Sequence, residues 1–189
     1  MHIEKRIFDI VLALGLLPFV LLPLVVISVL IKVNSPGPIL YWSERVGRSG
    51  RLFRMPKFRS MHVSTPTLAT HLLQNPEKWI TPFGSFLRKS SMDELPQIWS
   101  VFKGEMSFVG PRPVLASQTE LVLERMTRGI YELTPGMTGW AQINGRDNLS
   151  DQRKLELDVE YLKRQSIHFD LEIILRTVLK VILRDGVTH

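Results

Sequence analysis

From Ile10 to Ile31 the chain runs for 22 residues without a formal charge, and this stretch limits its possible folds more than any other feature. As a helix rising ~1.5 Å per residue it matches a hydrocarbon core of ~30 Å. A cleaved secretory signal fits poorly, because the run outlasts the usual apolar region and no Ala-x-Ala-like site follows. Pro18 and Pro23 fall inside it, where each removes a backbone donor and bends a helix. Lys5 and Arg6 precede the run; Lys32, Arg45, Arg48, Arg51, Arg54, Lys57 and Arg59 follow it against Glu44 alone. Basic flanks on both sides favour both ends remaining on one face of a membrane. The residues leave two topologies open. One is a single spanning helix; the other is a helix–break–helix dipping into one leaflet, whose freed backbone groups must be satisfied internally.

The 189 residues suffice for one ordinary domain plus an anchor, and not for two independent cores. A formal charge of +6 and a pI near 9.8 favour anionic partners such as a phospholipid surface or a nucleotide. Nucleic acid is the weaker choice, since the bases form no recognisable reading module. There is no cysteine, which removes disulfides, thiolate metal sites and cysteine nucleophiles together.

Asn34-Ser35-Pro36-Gly37-Pro38 is a turn-rich boundary after the apolar run. Leu52 to Met55 reads as a strand, preceded by a hairpin turn over Gly47 to Gly50. Residues 64–76 read as a mobile surface loop. Helical readings follow at Gly84–Lys89, Gln97–Phe102, Val114–Arg128 and Leu149–Lys163, with an irregular Gly-rich piece over Pro135–Gly145. The last segment, His168–Arg184, carries Phe169, Leu171, Ile174, Leu175, Val178 and Leu179 beside Arg176, Lys180 and Arg184. It reads either as a core helix with a solvated basic side or as a basic amphipathic helix on an anionic leaflet. The fold class expected is α+β, mainly helical with a small hairpin or sheet.

Between Arg88 and Pro113 the chain gathers residues suited to phosphate chemistry. Asp93 and Glu94 are adjacent acids, and Arg112 sits between Pro111 and Pro113, where its backbone has little freedom to move an anion clamp. A plainer reading exists for each. Ser91-Met92-Asp93-Glu94 matches a capping box, in which Glu94 merely satisfies a backbone donor. Pro96 weakens that reading and fits better in the first turn of a helix beginning just after the acids, whose positive end also suits phosphate. Lys57, Arg59 and Arg88 are ambiguous between anion contacts and solvated surface charges. Gly136, Gly139 and Gly145 allow either a phosphate-cradling backbone or simple turns.

Many ordered motifs resolve the ambiguity. Lys5-Arg6-x-Phe8-Asp9, Ser35-Pro36-Gly37-Pro38, Arg45-x-Gly47-x-x-Gly50 and Lys57-Phe58-Arg59-Ser60-Met61 are followed by Leu87-Arg88 and Asp93-Glu94-Leu95-Pro96-Gln97. Then come Val109-Gly110-Pro111-Arg112-Pro113, Pro135-Gly136-x-Thr138-Gly139-Trp140-x-Gln142, Asn144-Gly145-Arg146 and Leu157-Asp158. Over nearly its whole length the chain resembles the bacterial sugar transferases, the monotopic polyprenol-phosphate phosphoglycosyl transferases, as a small member with little beyond the catalytic core.

The resemblance implies transfer of a phosphosugar from a UDP-sugar, with an N-acetylated amino sugar the preferred donor, to polyprenol (undecaprenyl) phosphate. The products would be UMP and a polyprenol-diphosphate sugar, the first membrane step of glycan assembly. It implies Asp93 as nucleophile through an aspartyl-phosphosugar, Glu94 beside it, and Mg2+ held by Asp93 and Glu94. Lys57, Arg59, Arg88 and Arg112 become phosphate or nucleotide contacts, and Asp170 matches a family aspartate placed with them. It further implies a re-entrant anchor over residues 1–34, broken at Pro18 and Pro23, and a cytoplasmic catalytic domain over 35–189 bearing membrane-surface helices at a bacterial inner membrane. Two departures stand out: no serine precedes either proline, and Trp79 stands where an arginine is common.

Overall fold

The computed structural model describes residues 3–66, 75–145 and 148–183. Its longest element is α1 (Ile3–Asn34), 32 residues that include the whole apolar run. Pro18 and Pro23 both lie inside it, and the helical span runs through them. Each proline withholds one N–H, depriving the carbonyls of Leu14 and Phe19 of their usual donor, and the rest of the ladder carries the helix past both gaps.

The two ends of α1 are buried against one body. Lys5, Asp9 and Ala13 are covered near the start, and Ile27 and Ile31 near the end. Ala13 joins a core with Ile98, Val101, Met106, Phe108, Tyr161, Phe169 and Ile173, whereas Ile27 and Ile31 pack on Phe58 and Leu87. Between these anchors Leu14, Phe19, Leu21, Leu22, Val25 and Val26 stand exposed, Phe19 by 76 %. Arg6 reinforces the first anchor by donating to the carbonyls of Val101 and Phe102, at the end of α3 (Ile98–Lys103). A cation at a helix C-terminus satisfies orphan carbonyls and complements the dipole.

After the turn at Ser35–Pro38, β1 (Leu40–Val46) and β2 (Leu52–Phe58) form the antiparallel hairpin foreseen from the glycines, with Leu40 opposite Phe58 and Val46 opposite Leu52. The expected loop over 64–76 lies largely outside the described residues. α2 (Pro82–Lys89) starts where the Thr81 hydroxyl accepts from the Gly84 amide and Pro82 occupies a position needing no N–H.

A second, parallel pair joins β3 (Ser107–Val109) to β4 (Gly136–Thr138) and was not legible as strands, because three residues are too few to show alternation. The Gly-rich stretch is therefore ordered, and continues into α5 (Trp140–Ile143). The helix read over Val114–Arg128 is shortened to α4 (Thr119–Thr127), because the Val114 carbonyl accepts from Val46 and Leu115 bridges Arg45, drawing the chain onto the hairpin. α6 (Asp151–Arg164), capped by Ser150, and α7 (Ile167–Leu183) complete the α+β, mainly helical fold. α7 divides its apolar side chains: Phe169 and Ile173 enter the core, while Leu171, Leu175, Val178 and Leu179 are exposed. Arg184 lies outside the described residues.

Candidate active site

Asp93 and Glu94 sit in a 3-10 turn, Met92–Gln97, between α2 and α3. The chain reverses at Ser91, which adopts a left-handed backbone (φ 55°). Ser91 makes no side-chain cap, and the Glu94 carboxylate turns instead toward two cations, so the capping-box reading does not hold. Pro96 lies inside the 3-10 turn containing the acids, and the α-helix begins only at Ile98, not directly after them. The turn packs between the hairpin, α2 and α3, with Leu95 against the cluster that holds Ile27 and Ile31 of α1.

Lys57 on β2 and Arg112 converge on a single oxygen of Glu94. Lys57 Nζ is 2.7 Å and Arg112 Nη2 2.9 Å from Glu94 Oε1, while Lys57 is 3.9 Å from Asp93 Oδ2. Both acids are mostly covered, at 13 % and 14 % side-chain exposure, whereas Arg112 is 43 % exposed and open to a ligand. The two carboxyls are driven in opposite directions. Burial raises Asp93 above the usual aspartate value against the pull of Lys57, with the neighbouring Glu94 charge adding to the rise and Arg88 and Arg112 opposing it. Burial also penalises ionised Glu94, but Arg112 and Lys57 hold its carboxyl far below the ordinary range. Adjacent acids separated in this way have separate tasks. Glu94 is a permanent anion that fixes two cations; Asp93 is the more basic carboxylate.

The Pro111-Arg112-Pro113 corner is fastened through all three carbonyls. Pro111 O accepts from the Gly136 amide at 3.0 Å, Arg112 O from Arg125 Nη1 at 2.7 Å and Pro113 O from Arg45 Nη1 at 3.3 Å. Pro111 and Pro113 have no N–H to offer, so these acceptor contacts carry the main-chain bonding of both. Gly136 permits the approach, since a Cβ there would lie 2.1 Å from the Gly110 nitrogen. The glycines at 110 and 136 therefore serve strand contact, and Gly136 also lines the recess beside Glu94 and Arg112.

Of the residues expected from sequence, Asp93, Glu94, Lys57, Arg88 and Arg112 come together. Arg59 and Asp170 do not. Arg59 is buried and donates to the carbonyls of Ser35 and Pro36 and to Ser35 Oγ, tying the turn after α1 to β2; it is a structural brace and not a phosphate contact. Asp170 has no exposed surface and meets Lys5 at 2.6 Å and the Tyr161 hydroxyl at 2.6 Å, far inside the core. Pro18 and Pro23 lie within α1. Gly145 has φ 147°, and a Cβ there would lie 2.8 Å from the Leu149 side chain; Arg146 lies outside the described residues.

Arg45 was missed as a site residue. It lines the recess with Glu94, Gln97, Arg112 and Pro113, and burial, helped by the Arg112 charge, lowers its guanidinium to about 10. Its place in Arg45-x-Gly47 was the available signal, masked by the many other basic residues around it. Magnesium fits the donor set in the manner usual at phosphate sites, through one or two carboxylates with the substrate's phosphates supplying other oxygens. Asp93 and Glu94 would be those carboxylates; the described residues contain no cluster of three acids, histidines or cysteines for an all-protein cage.

The chain matches the model of a family described as bacterial sugar transferase over residues 1–184. It is 38% identical to the uncharacterized sugar transferase EpsL of Bacillus subtilis (strain 168), covering 98% of this chain and 90% of that protein. It is 39% identical to the UDP-glucose:undecaprenyl-phosphate glucose-1-phosphate transferase of Escherichia coli (strain K12), over 93% of this chain and 39% of that one. The UDP-galactose-lipid carrier transferase of Erwinia amylovora is 38% identical over 96% of this chain and 41% of its own length. The chain thus spans about two fifths of the last two relatives and most of the first.

Proposed function

The chain belongs to the bacterial sugar transferase family, and from that premise we propose that it moves a sugar-1-phosphate from a UDP-sugar to polyprenol phosphate at a membrane. The observation that carries this reading is the pairing of one clamped carboxylate with one raised carboxylate beside an exposed arginine. Relatives named for UDP-glucose and undecaprenyl phosphate supply the donor and acceptor classes.

Asp93 is the nucleophile. A carboxylate oxygen attacks the sugar-bearing phosphorus of the donor, the bond from that phosphorus to the bridging oxygen breaks, and UMP leaves with that oxygen. The resulting acyl-phosphate carries the phosphosugar on Asp93. An oxygen of polyprenol phosphate then attacks the same phosphorus and expels the Asp93 carboxylate, giving the polyprenol-diphosphate sugar. Splitting the displacement into two steps is covalent catalysis, and a carboxylate raised in pKa is the better nucleophile of an adjacent pair.

Lys57 and Arg88 offset negative charge around Asp93, and Arg112 holds the donor diphosphate, exchanging part of its contact with Glu94 for phosphate oxygens. Glu94 keeps Lys57 in place throughout. Asp93 and Glu94 would hold magnesium, whose charge would reduce the repulsion between an anionic nucleophile and an anionic donor.

The topology proposed rests on how α1 packs. A helix spanning the bilayer has its ends on opposite faces, but both ends of α1 bury against the same body, with exposed apolar residues between them. This supports an anchor, residues 1–34, that enters and leaves by one face, with the catalytic domain over 35–189 on the cytoplasmic side of the inner membrane. The exposed Leu171, Leu175, Val178 and Leu179 of α7, with Arg176 and Lys180 beside them, would rest on the same anionic surface. An N-acetylated amino sugar is the preferred donor.

The test is UMP release from a panel of UDP-sugars with magnesium and undecaprenyl phosphate, comparing wild type with Asp93→Asn. Release requiring one sugar, the metal and Asp93, with a phosphosugar trapped on Asp93 when acceptor is withheld, establishes the reaction. Equal release by folded Asp93→Asn would sink it.

A further inference from the structure

Arg125, on α4, is buried and reaches two partners at once. Its Nη1 donates to the main-chain oxygen of Arg112 at 2.7 Å, and its Nη2 to Asp158 Oδ2 on α6, also at 2.7 Å. Burial pushes the Asp158 carboxyl up to about 6, with Arg125 opposing the rise. One turn further along α6, the Tyr161 hydroxyl lies 3.2 Å from the Val109 carbonyl. α6 thus braces both ends of the Val109–Arg112 corner, directly through Tyr161 and through Arg125 from Asp158.

We propose that Arg125, oriented by Asp158, is a positioning residue for the donor site, holding the Arg112 main chain so that its guanidinium faces Glu94 and the incoming diphosphate. The donor's identity as a diphosphate rests on the function proposed above; the bracing itself does not. Neither Arg125 nor Asp158 touches Asp93, Glu94 or Lys57 in any contact described, so their influence runs through Arg112. Prolines on both sides stiffen this segment. A displaced Arg112 carbonyl therefore carries the guanidinium with it, and a misplacement of ~1 Å can cost on the order of a hundredfold in rate. The two-point grip requires a planar fork, which lysine lacks.

The experiment measures kcat and KM for the donor in the full chain in lipid nanodiscs, for wild type, Arg125→Gln, Arg125→Lys and Asp158→Asn, each repeated in an Arg112→Ala background. Arg125→Gln is expected to lose roughly 10–100-fold in kcat/KM, mostly through a higher donor KM, as is usual for residues orienting a direct contact. Arg125→Lys should recover part of the loss. In the Arg112→Ala background the same substitutions should have little further effect, because the group being positioned is gone. An undiminished loss in that background, or a loss in kcat alone that tracks the folded fraction, overturns the proposal. Should Arg125→Gln not fold, Asp158→Asn, which keeps side-chain size and an acceptor, is judged by the same two criteria. If wild type turns over no donor, the reaction assigned above fails, and amide hydrogen exchange at Gly110, Arg112 and Val114 decides this inference separately. Faster exchange confined to those amides in Asp158→Asn supports the brace; unchanged exchange refutes it.

Discussion

Lys5 Nζ and Asp170 Oδ2, from opposite ends of the chain, lie 2.6 Å apart in the protein interior. The contact locks the start of α1 to α7. Asp9, one turn after Lys5, extends the lock by accepting from Ser107 Oγ at 3.0 Å and the Phe108 amide at 3.1 Å on β3. The membrane helix is therefore wired by buried polar groups into the strand that leads to Arg112.

Removing one partner strands a buried charge. Asp170→Asn and Lys5→Met are each expected to destabilise the protein by about 3–5 kcal/mol, the usual cost of breaking a buried pair. An apolar double replacement, Lys5→Met with Asp170→Leu, should cost less than the sum of its single changes. Thermal unfolding in detergent gives the values; strictly additive losses would contradict the pairing.

Activity should fall on the acid side as Asp93 takes up a proton. Because burial and the Glu94 charge raise Asp93, that limb is expected above the ordinary aspartate range of about 4. Glu94→Gln removes the neighbouring negative charge and should move the limb to lower pH while reducing turnover, since Lys57 and Arg112 lose their common partner. A kcat/KM profile against pH for both proteins checks the sign. A limb moving upward in Glu94→Gln would show that the carboxylate governing it is not Asp93.

Arg59→Ala should act on stability and leave donor KM alone. Three hydrogen bonds to Ser35 and Pro36 disappear, and bonds to a charged donor are worth about 1.5–3 kcal/mol each before relaxation. The expected loss is several kcal/mol, read by unfolding, with KM for the UDP-sugar within about twofold of wild type. A tenfold KM increase with unchanged stability would return Arg59 to the site.

Gly136→Ala places a Cβ 2.1 Å from the Gly110 nitrogen and 2.4 Å from Thr138 O, neither of which can retreat without opening the β3–β4 pair. Overpacking against backbone is expected to cost about 3 kcal/mol, the upper end of the usual range. Unfolding midpoints of wild type and variant provide the comparison. Gly15→Ala is the control, because a Cβ there meets nothing within 4 Å.

Local signals in the sequence account for much of this architecture. The charge-free run predicts α1, the glycines around Arg48 predict the hairpin, and apolar spacing predicts α6 and α7. Asp93 and Glu94 are legible as a pair because adjacency is itself local, as is the stiffness of Arg112 between two prolines. Arg59 and Asp170 were wrongly grouped with them: charge type and motif membership are the same for a substrate contact and an internal brace. What separates the two is burial and the identity of the partner, and neither is a property of neighbouring residues.

The hairpin, the membrane-length helix and the acidic pair were thus determined by the sequence alone, since each depends on residues within a few positions of one another. Tertiary structure decided the rest. It brought Lys57 and Arg112 onto one oxygen of Glu94, set the carboxyls of Asp93 and Glu94 apart, and placed Arg125 behind Arg112. Those outcomes depend on distance and desolvation between groups remote in the chain, because an ionic contact gains its strength and selectivity only when folding withdraws it from water.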